Sequence, residues 1–388
     1  MMNRWSTIAR YGGVGDSIVA TSVLPGLKKR FDGVEMLCQD PWHVVFENNP
    51  YIDKLSVYKK DEIPREGWQE FHYIRAHESE LFVNLSHSME TLVAFVPAQC
   101  QFQWPAKARR KIAGKNYLEL VHDICDVPYD EIAPNFFPLE SEMERARGIR
   151  GRLGSCVIGW VLTGTRLDKI YPFSPMVVGR LIRELGADVI MFGHPEKDRE
   201  IAEVVNEHVN RQNGSSKGLH YARSMDPTKA AWPLRDVLAT VQQCDLVIGP
   251  DTGPMWAVAM REMPKIVLLS HASPENITKY WKRTVSLHAD QGRVPCWPCH
   301  QLHDTKMTCT PNKDDNGAAC ISDISAEAIV ETARRCLAGK ADYREMTGEE
   351  ALLPLVEAPT PPVVRGPWPD IAEYEEDEGS ISVTGHAD

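Results

Sequence analysis

The stretch IARYGGVGDSIVATSVLPGLKKRF, from Ile8 to Phe31, reads as strand, glycine-rich turn and helix in that order. It predicts a strand over Ser6–Arg10 and a helix over Ser17–Phe31. Such a turn exposes the first amides of its helix, and a ligand backbone can approach closely because glycine has no side chain. Gly13 and Gly15 therefore form a candidate ligand loop. A dinucleotide fingerprint in this frame would need a further glycine at position 18, where Ile18 stands, so a Rossmann-type cofactor is disfavoured. Asp16 is the informative residue. A carboxylate in the first helical turn either caps the helix or, at a cleft edge, takes a proton from an acceptor hydroxyl.

The same alternation continues outward from this unit. Short β-type runs at Val34–Cys38, Lys54–Val57 and Leu81–Leu85 complete a first series. A second series has strands at Cys156–Leu162, Asp188–Phe192, Asp245–Gly249 and Lys265–Leu269, with helices near Pro175–Leu185, Glu196–Arg211, Leu234–Gln243 and Gly253–Arg261. Alternating strands and helices imply parallel sheets with crossover helices. At 388 residues the chain is too long for one ordinary core, so two doubly wound domains are expected. The seam falls near Gly148–Gly154, giving domains over residues 1–150 and 151–340, the second closing with a helix over Ser325–Leu337. From about Pro354 the sequence becomes Pro-rich and then acidic (EYEEDEG). A tail over residues 341–388 is expected to stay unfolded, having too little apolar surface to offset ordering entropy.

Composition excludes several classes. No apolar run approaches the ~18 residues of a membrane-spanning helix, and MMNRWSTIAR lacks a signal-peptide stretch, so the expected location is the cytoplasm. A net charge of −11 opposes general binding to polyanions, which needs concentrated positive charge. The one compact basic run, Lys107–Lys111, reads as a solvated face. Six cysteines (Cys38, Cys100, Cys125, Cys156, Cys244 and Cys336) are scattered singly, as buried free thiols in a reducing compartment would be.

Two further segments carry chemistry. In CDLVIGPDTGPMWAVAM a strand ends in Asp251-Thr252-Gly253 and a helix begins. Orphan amides and the helix dipole there favour an anion such as phosphate, while the bland reading makes Asp251 and Thr252 simple caps. In GWVLTGTRLDKIYPFSP a strand ends in a turn containing Thr163 and Thr165, and Lys169 follows. Lys169 is either a solvated lysine or a point charge for a diphosphate.

Taken together, from about residue 5 to 338, these segments resemble the heptosyltransferase-like glycosyltransferases, family 9, with NPYIDKL at Asn49–Leu55 matching that family's segment after the second strand. The resemblance implies an α/β GT-B fold, two Rossmann-like domains facing across a cleft, with an acceptor-side first domain and a donor-side second domain. It implies that Asp16 is the catalytic base, that Lys169 and the turn of Thr163 and Thr165 meet the donor diphosphate, and that Glu196 lies near the donor ribose. Asp251, Thr252 and Gly253 match the family's donor-binding segment. Trp256, counted among the donor-binding positions, stands where the family normally has histidine, and Tyr171 replaces a tryptophan.

The remaining cluster, VPCWPCHQLHDTKMTCTPNKDDNGAAC, spaces Cys296, Cys299, Cys309 and Cys320 as C-x2-C-x9-C-x10-C. That spacing suits a four-thiolate structural site for zinc or iron; disulfides or unpaired thiols are the alternatives. His300 and His303 lie nearby as substitute ligands. Autotransporter-modifying relatives of the family carry a comparable loop. With all ligands from the protein, such a metal holds a loop and performs no catalysis, and the resemblance implies no catalytic metal elsewhere. The expected activity is inverting transfer of a heptose-like sugar from an ADP-heptose-like donor to a hydroxyl on a glycan, a protein or a modified DNA base. The alternative is a catalytically inert nucleotide-sugar-binding module of the same fold.

Overall fold

The computed structural model describes residues 4–59, 61–62, 68–86, 113–164, 166–194, 196–221, 232–300, 315, 317–339 and 343. The run Lys107–Lys111, Cys100 and the acidic tail lie outside these residues. Among the described residues, the first half has strands β1 (Trp5–Arg10), β2 (Gly33–Gln39), β3 (Lys54–Tyr58) and β4 (Leu81–Asn84), with helices α1 (Val14–Ala20), α2 (Leu24–Arg30), α3 (Trp68–Ala76), α4 (Tyr117–Cys125) and α5 (Glu140–Arg150). The second half has β5 (Val157–Val161), α6 (Ser174–Leu185), β6 (Asp188–Phe192), α7 (Arg199–Asn213), β7 (Leu219–Tyr221), α8 (Leu234–Val241), β8 (Leu246–Pro250), α9 (Gly253–Val258) and β9 (Lys265–Leu269). It ends with α10 (Pro274–Ile277), β10 (Thr284–His288), α11 (Ala319–Ser322) and α12 (Ala326–Leu337).

Two parallel sheets result, ordered β3-β2-β1-β4 and β10-β9-β8-β5-β6-β7. Every observed pairing is parallel. The central strands are buried on both faces, which is why they read as continuous apolar runs. The α/β class and the two Rossmann-like sheets agree with the sequence expectation.

Two differences from that expectation have physical causes. The helix expected over Ser17–Phe31 is broken: α1 ends at Ala20, a 3-10 turn covers Thr21–Val23, and α2 restarts with Pro25 in its first turn. Proline has no amide to give the preceding turn, and its ring clashes with the carbonyl four residues back. The strand β10 was missed because Thr284 and Ser286 look polar, yet both are buried and Ser286 Oγ bonds Thr278 Oγ1 at 2.7 Å.

One buried cluster runs through both halves, joining Ile8, Leu24 and Leu118 to Val267, Met255, Trp256 and Trp281. Polar clamps reinforce it. The buried Arg235 on α8 forks onto Glu142 of α5 (2.6 and 2.9 Å) and also donates to the carbonyl oxygens of Val44 and Phe137. Asn116 Nδ2 donates to Glu275 O at 2.8 Å, and Asn276 Nδ2 returns a bond to Ala113 O at 2.9 Å. No helix of the described residues is long and apolar enough to cross a membrane.

Candidate active site

Strands run parallel, so the helices that follow β1 and β8 both start at the carboxyl edges of their sheets, where open α/β folds bind ligands. At β1 the chain turns through Gly13, whose φ of 69° lies in the left-handed region. A Cβ there would also sit 2.3 Å from Asp16 Oδ2, so only glycine lets the carboxylate fold back over the turn. Asp16 Oδ2 lies 2.8 Å from Nη2 of Arg10, the last residue of β1, and the same guanidinium donates to Leu85 O at 2.8 Å. The Arg10 side chain is 3% exposed and that of Asp16 37%. The sequence signal for Arg10, a charge inside an apolar strand, was readable but was not used.

At β8 the arrangement differs. Asp251 is buried, with one oxygen and its carbonyl bonded to Lys169 Nζ at 3.0 and 2.9 Å. Its other oxygen, Oδ1, is buried without a hydrogen-bond partner among the described residues. Lys169 comes from the 3-10 turn Leu167–Lys169 after β5. Lys169 and Thr252 flank Gly164, where an added Cβ would lie 2.7 Å from Lys169 Cδ and 3.0 Å from Thr252 Cγ2. Thr252 precedes α9 in extended conformation, and its hydroxyl makes no cap to the helix.

These two turns touch. A Cβ on Gly253 would meet Val14 Cγ1 at 2.5 Å, and one on Gly15 would meet Trp256 Cδ1 at 3.1 Å. The halves can approach this closely only because both positions lack side chains. Trp256 is itself buried, its ring edge-on to Trp281 with centroids 4.7 Å apart, so it fills the space behind the two helix starts.

Around this centre, Thr163 Oγ1 donates to Asp198 Oδ1 at 2.7 Å, and Asp198 also accepts from the His194 amide. Glu196 is exposed on the same loop after β6, its amide on His194 Nδ1. Thr165 lies outside the described residues.

A cluster that sequence reading missed sits beside Lys169. Asp168, fully buried, accepts from Arg166 Nε (2.8 Å), Ser270 Oγ (2.9 Å) and His271 Nδ1 (2.8 Å). Burial alone would push its carboxyl up, but His271, Arg166 and Lys169 together hold it well below the usual carboxylate range. No local pattern announced it, because Asp168 and His271 meet only through the sheet order.

Of the four clustered cysteines, Cys296 and Cys299 are half-buried, Cys320 is buried, and Cys309 lies outside the described residues. Cys296 and Cys320 pack against the same apolar core. Among the described residues no group of three or more histidine, cysteine or carboxylate side chains is placed to hold a metal. The loop docks beside this cluster, where the His300 amide donates to His271 O at 2.8 Å.

Comparison with known proteins shows the family and the fold. The sequence profile of glycosyltransferase family 9 (heptosyltransferase) matches residues 103–306, more than half of the chain. A family 9 glycosyl transferase from Veillonella parvula superposes with a TM-score of 0.61 at 16% identity, covering 87% of this chain and 98% of the other. The Escherichia coli ADP-heptose lipopolysaccharide heptosyltransferase II gives 0.58 at 15%, covering 87% and 99%. TibC from enterotoxigenic Escherichia coli, a dodecameric iron-containing heptosyltransferase, gives 0.53 at 11%, covering 87% and 77%. At such identities the likeness is one of fold, here the GT-B fold. No curated protein matches the sequence significantly.

Proposed function

We infer the reaction from the premise that this chain belongs to glycosyltransferase family 9: it is a glycosyltransferase acting on a nucleotide-sugar, and we propose that it transfers a heptose-like sugar from a nucleotide-diphosphate donor, with inversion, to an acceptor hydroxyl. The observation that carries this reading is the abutment, across Gly15 and Gly253, of the Asp16 turn and the Asp251 turn, to which Lys169 is paired from the turn after β5. The first half takes the acceptor and the second half, over residues 151–340, takes the donor. Asp16 accepts the proton of the attacking hydroxyl as the bond from the anomeric carbon to the diphosphate breaks on the opposite face. The electron pair of that bond leaves with the diphosphate, whose charge Lys169, Thr252 and the Gly253 amide stabilise. Thr163, Thr165 and Glu196 border the nucleotide, and Trp256 supports the floor from behind.

Candidate acceptors are a glycan, a protein side chain and a modified DNA base; the exposed Asp16 carboxylate needs only a hydroxyl brought within hydrogen-bond reach. The structure of TibC in complex with ADP-D-β-D-heptose makes ADP-heptose the first donor to try. Calorimetric titration with ADP, UDP, GDP, CDP and their sugars tests the reading. Selective binding of one nucleotide, followed by release of its diphosphate on transfer, supports it, and absence of binding by all of them overturns it.

The cysteine loop would hold a structural zinc or iron through Cys296, Cys299, Cys309 and Cys320. Soft thiolates suit either metal, and the packing of Cys296 and Cys320 on one core fits such a clasp. When bound, the metal supplies cross-linking alone, because no ligand position is left open. Elemental analysis should find about one metal per chain; a value well under half counts against the clasp.

A further inference from the structure

Building on the donor-side reading, we propose that Asp168 and His271 are positioning residues that fix where the Lys169 ammonium meets the diphosphate of a nucleotide donor. The sheet order places β8 between β9 and β5. Asp168 follows β5, His271 follows β9, and the strand between them leads into Asp251-Thr252-Gly253. Their 2.8 Å contact therefore spans the strand end on which the donor phosphates are proposed to rest.

Both carboxylate oxygens of Asp168 are occupied, Oδ1 by Arg166 and Oδ2 by Ser270 and His271. The His271 backbone is fixed as well, by the His300 amide. Asp168 and Lys169 share one 3-10 turn, closed by the bond from the Lys169 amide to Arg166 O at 3.0 Å. The turn thus has two anchors of different kinds. Asp168 ties it to the chain after β9 by contacts sealed from solvent. Lys169 ties it to Asp251 by a contact that a phosphate oxygen can replace.

A lysine side chain has a long stem with large rotamer freedom, so its ammonium is well placed only if its backbone is. Apolar residues of similar size would pack a core at least as stably as a buried ion cluster. A buried charged cluster beside Lys169 is therefore better explained by geometry than by stability, since displacement of a binding group by about 1 Å is enough to lose most of its effect.

The test is a titration of the full chain with ADP, UDP, GDP and CDP, each compared with its nucleoside. Asp168→Asn should weaken the preferred nucleoside diphosphate about tenfold or more while leaving the nucleoside unchanged, and should cost nothing further in a Lys169→Met background. His271→Asn, which keeps an amide donor near the Nδ1 position, should retain most of the affinity that His271→Leu loses. Equal losses for diphosphate and nucleoside, additive losses with Lys169→Met, or wild-type affinity in Asp168→Asn and His271→Leu would each overturn the inference. Failure of the wild-type chain to bind any nucleoside diphosphate would instead bring down the donor-side reading, and this inference with it.

Discussion

The turn after β1 and the turn after β8 share a parallel strand, a short turn, a helix start and an ion pair, made in the first within one strand–turn unit and in the second to Lys169 of the turn after β5. Their polarity is opposite. In the first, the cation Arg10 is buried at 3% exposure and the anion Asp16 is presented at 37%; in the second, the anion Asp251 is buried at 4% and the cation Lys169 is presented at 16%. In each case the hidden partner holds the presented group in place by an ion pair. In the proposed mechanism the first turn offers a base and the second, through its partner Lys169, a positive charge, and the two turns abut across Gly15 and Gly253. Glycosyl transfer needs both at once, a proton acceptor on the nucleophile and a counter-charge on the leaving diphosphate.

The largest expected effect comes from removing the presented anion. Asp16→Asn should lower the transfer rate by about 10²–10⁴-fold, the usual worth of a general base, while calorimetry shows an unchanged nucleotide affinity. A variant that transfers at the wild-type rate would break the comparison at its first turn.

Removing the presented cation should act on the other reactant. Lys169→Met should weaken the nucleotide diphosphate by about 10–100-fold, from a charged hydrogen bond worth about 1.5–3 kcal/mol, with a smaller loss of saturated rate than Asp16→Asn gives. If both variants changed binding and rate alike, the division of labour between the turns would be wrong.

The smallest effect contrasts Lys169 with Lys265, a lysine at the amino edge of the same sheet, where β9 begins. Lys265 is fully buried and donates to the carbonyl oxygens of Arg261 and Met263, at 2.7 and 2.8 Å. Burial pushes its ammonium down to about 7. In the unfolded chain a lysine titrates near 10.4. Between these values the unfolded chain binds more protons, so stability should climb with pH there and the penalty should be constant below about pH 7. Urea unfolding at pH 7 and pH 9 should show a gain on the order of 1–2 kcal/mol that Lys265→Met lacks. An equal gain in both proteins would mean that Lys265 is not the titrating group.

Much of this architecture was legible in advance. The runs Asp188–Phe192 and Lys265–Leu269 announced their strands through near-continuous apolar character, Ser6–Arg10 and Val34–Cys38 as short β-type runs in alternation with helices, and each glycine turn announced a helix start. The sequence reading also gave Asp16, Lys169 and Asp251-Thr252-Gly253 as candidates. Pro25 was in plain view and still the helix across it was read as continuous. Thr284 and Ser286 hid a strand because their hydroxyls are satisfied inside the protein. The pairings themselves were not legible: Arg10 behind Asp16, Asp251 behind Lys169, and Asp168 across β8 to His271. Local periodicity and turn chemistry are properties of residues near one another in the chain, and they determined the elements and the α/β class. Which strand ends become neighbours depends on the order of strands in the sheet and on how closely two glycines let the halves approach, so only the tertiary structure decided which charges are hidden and which are presented.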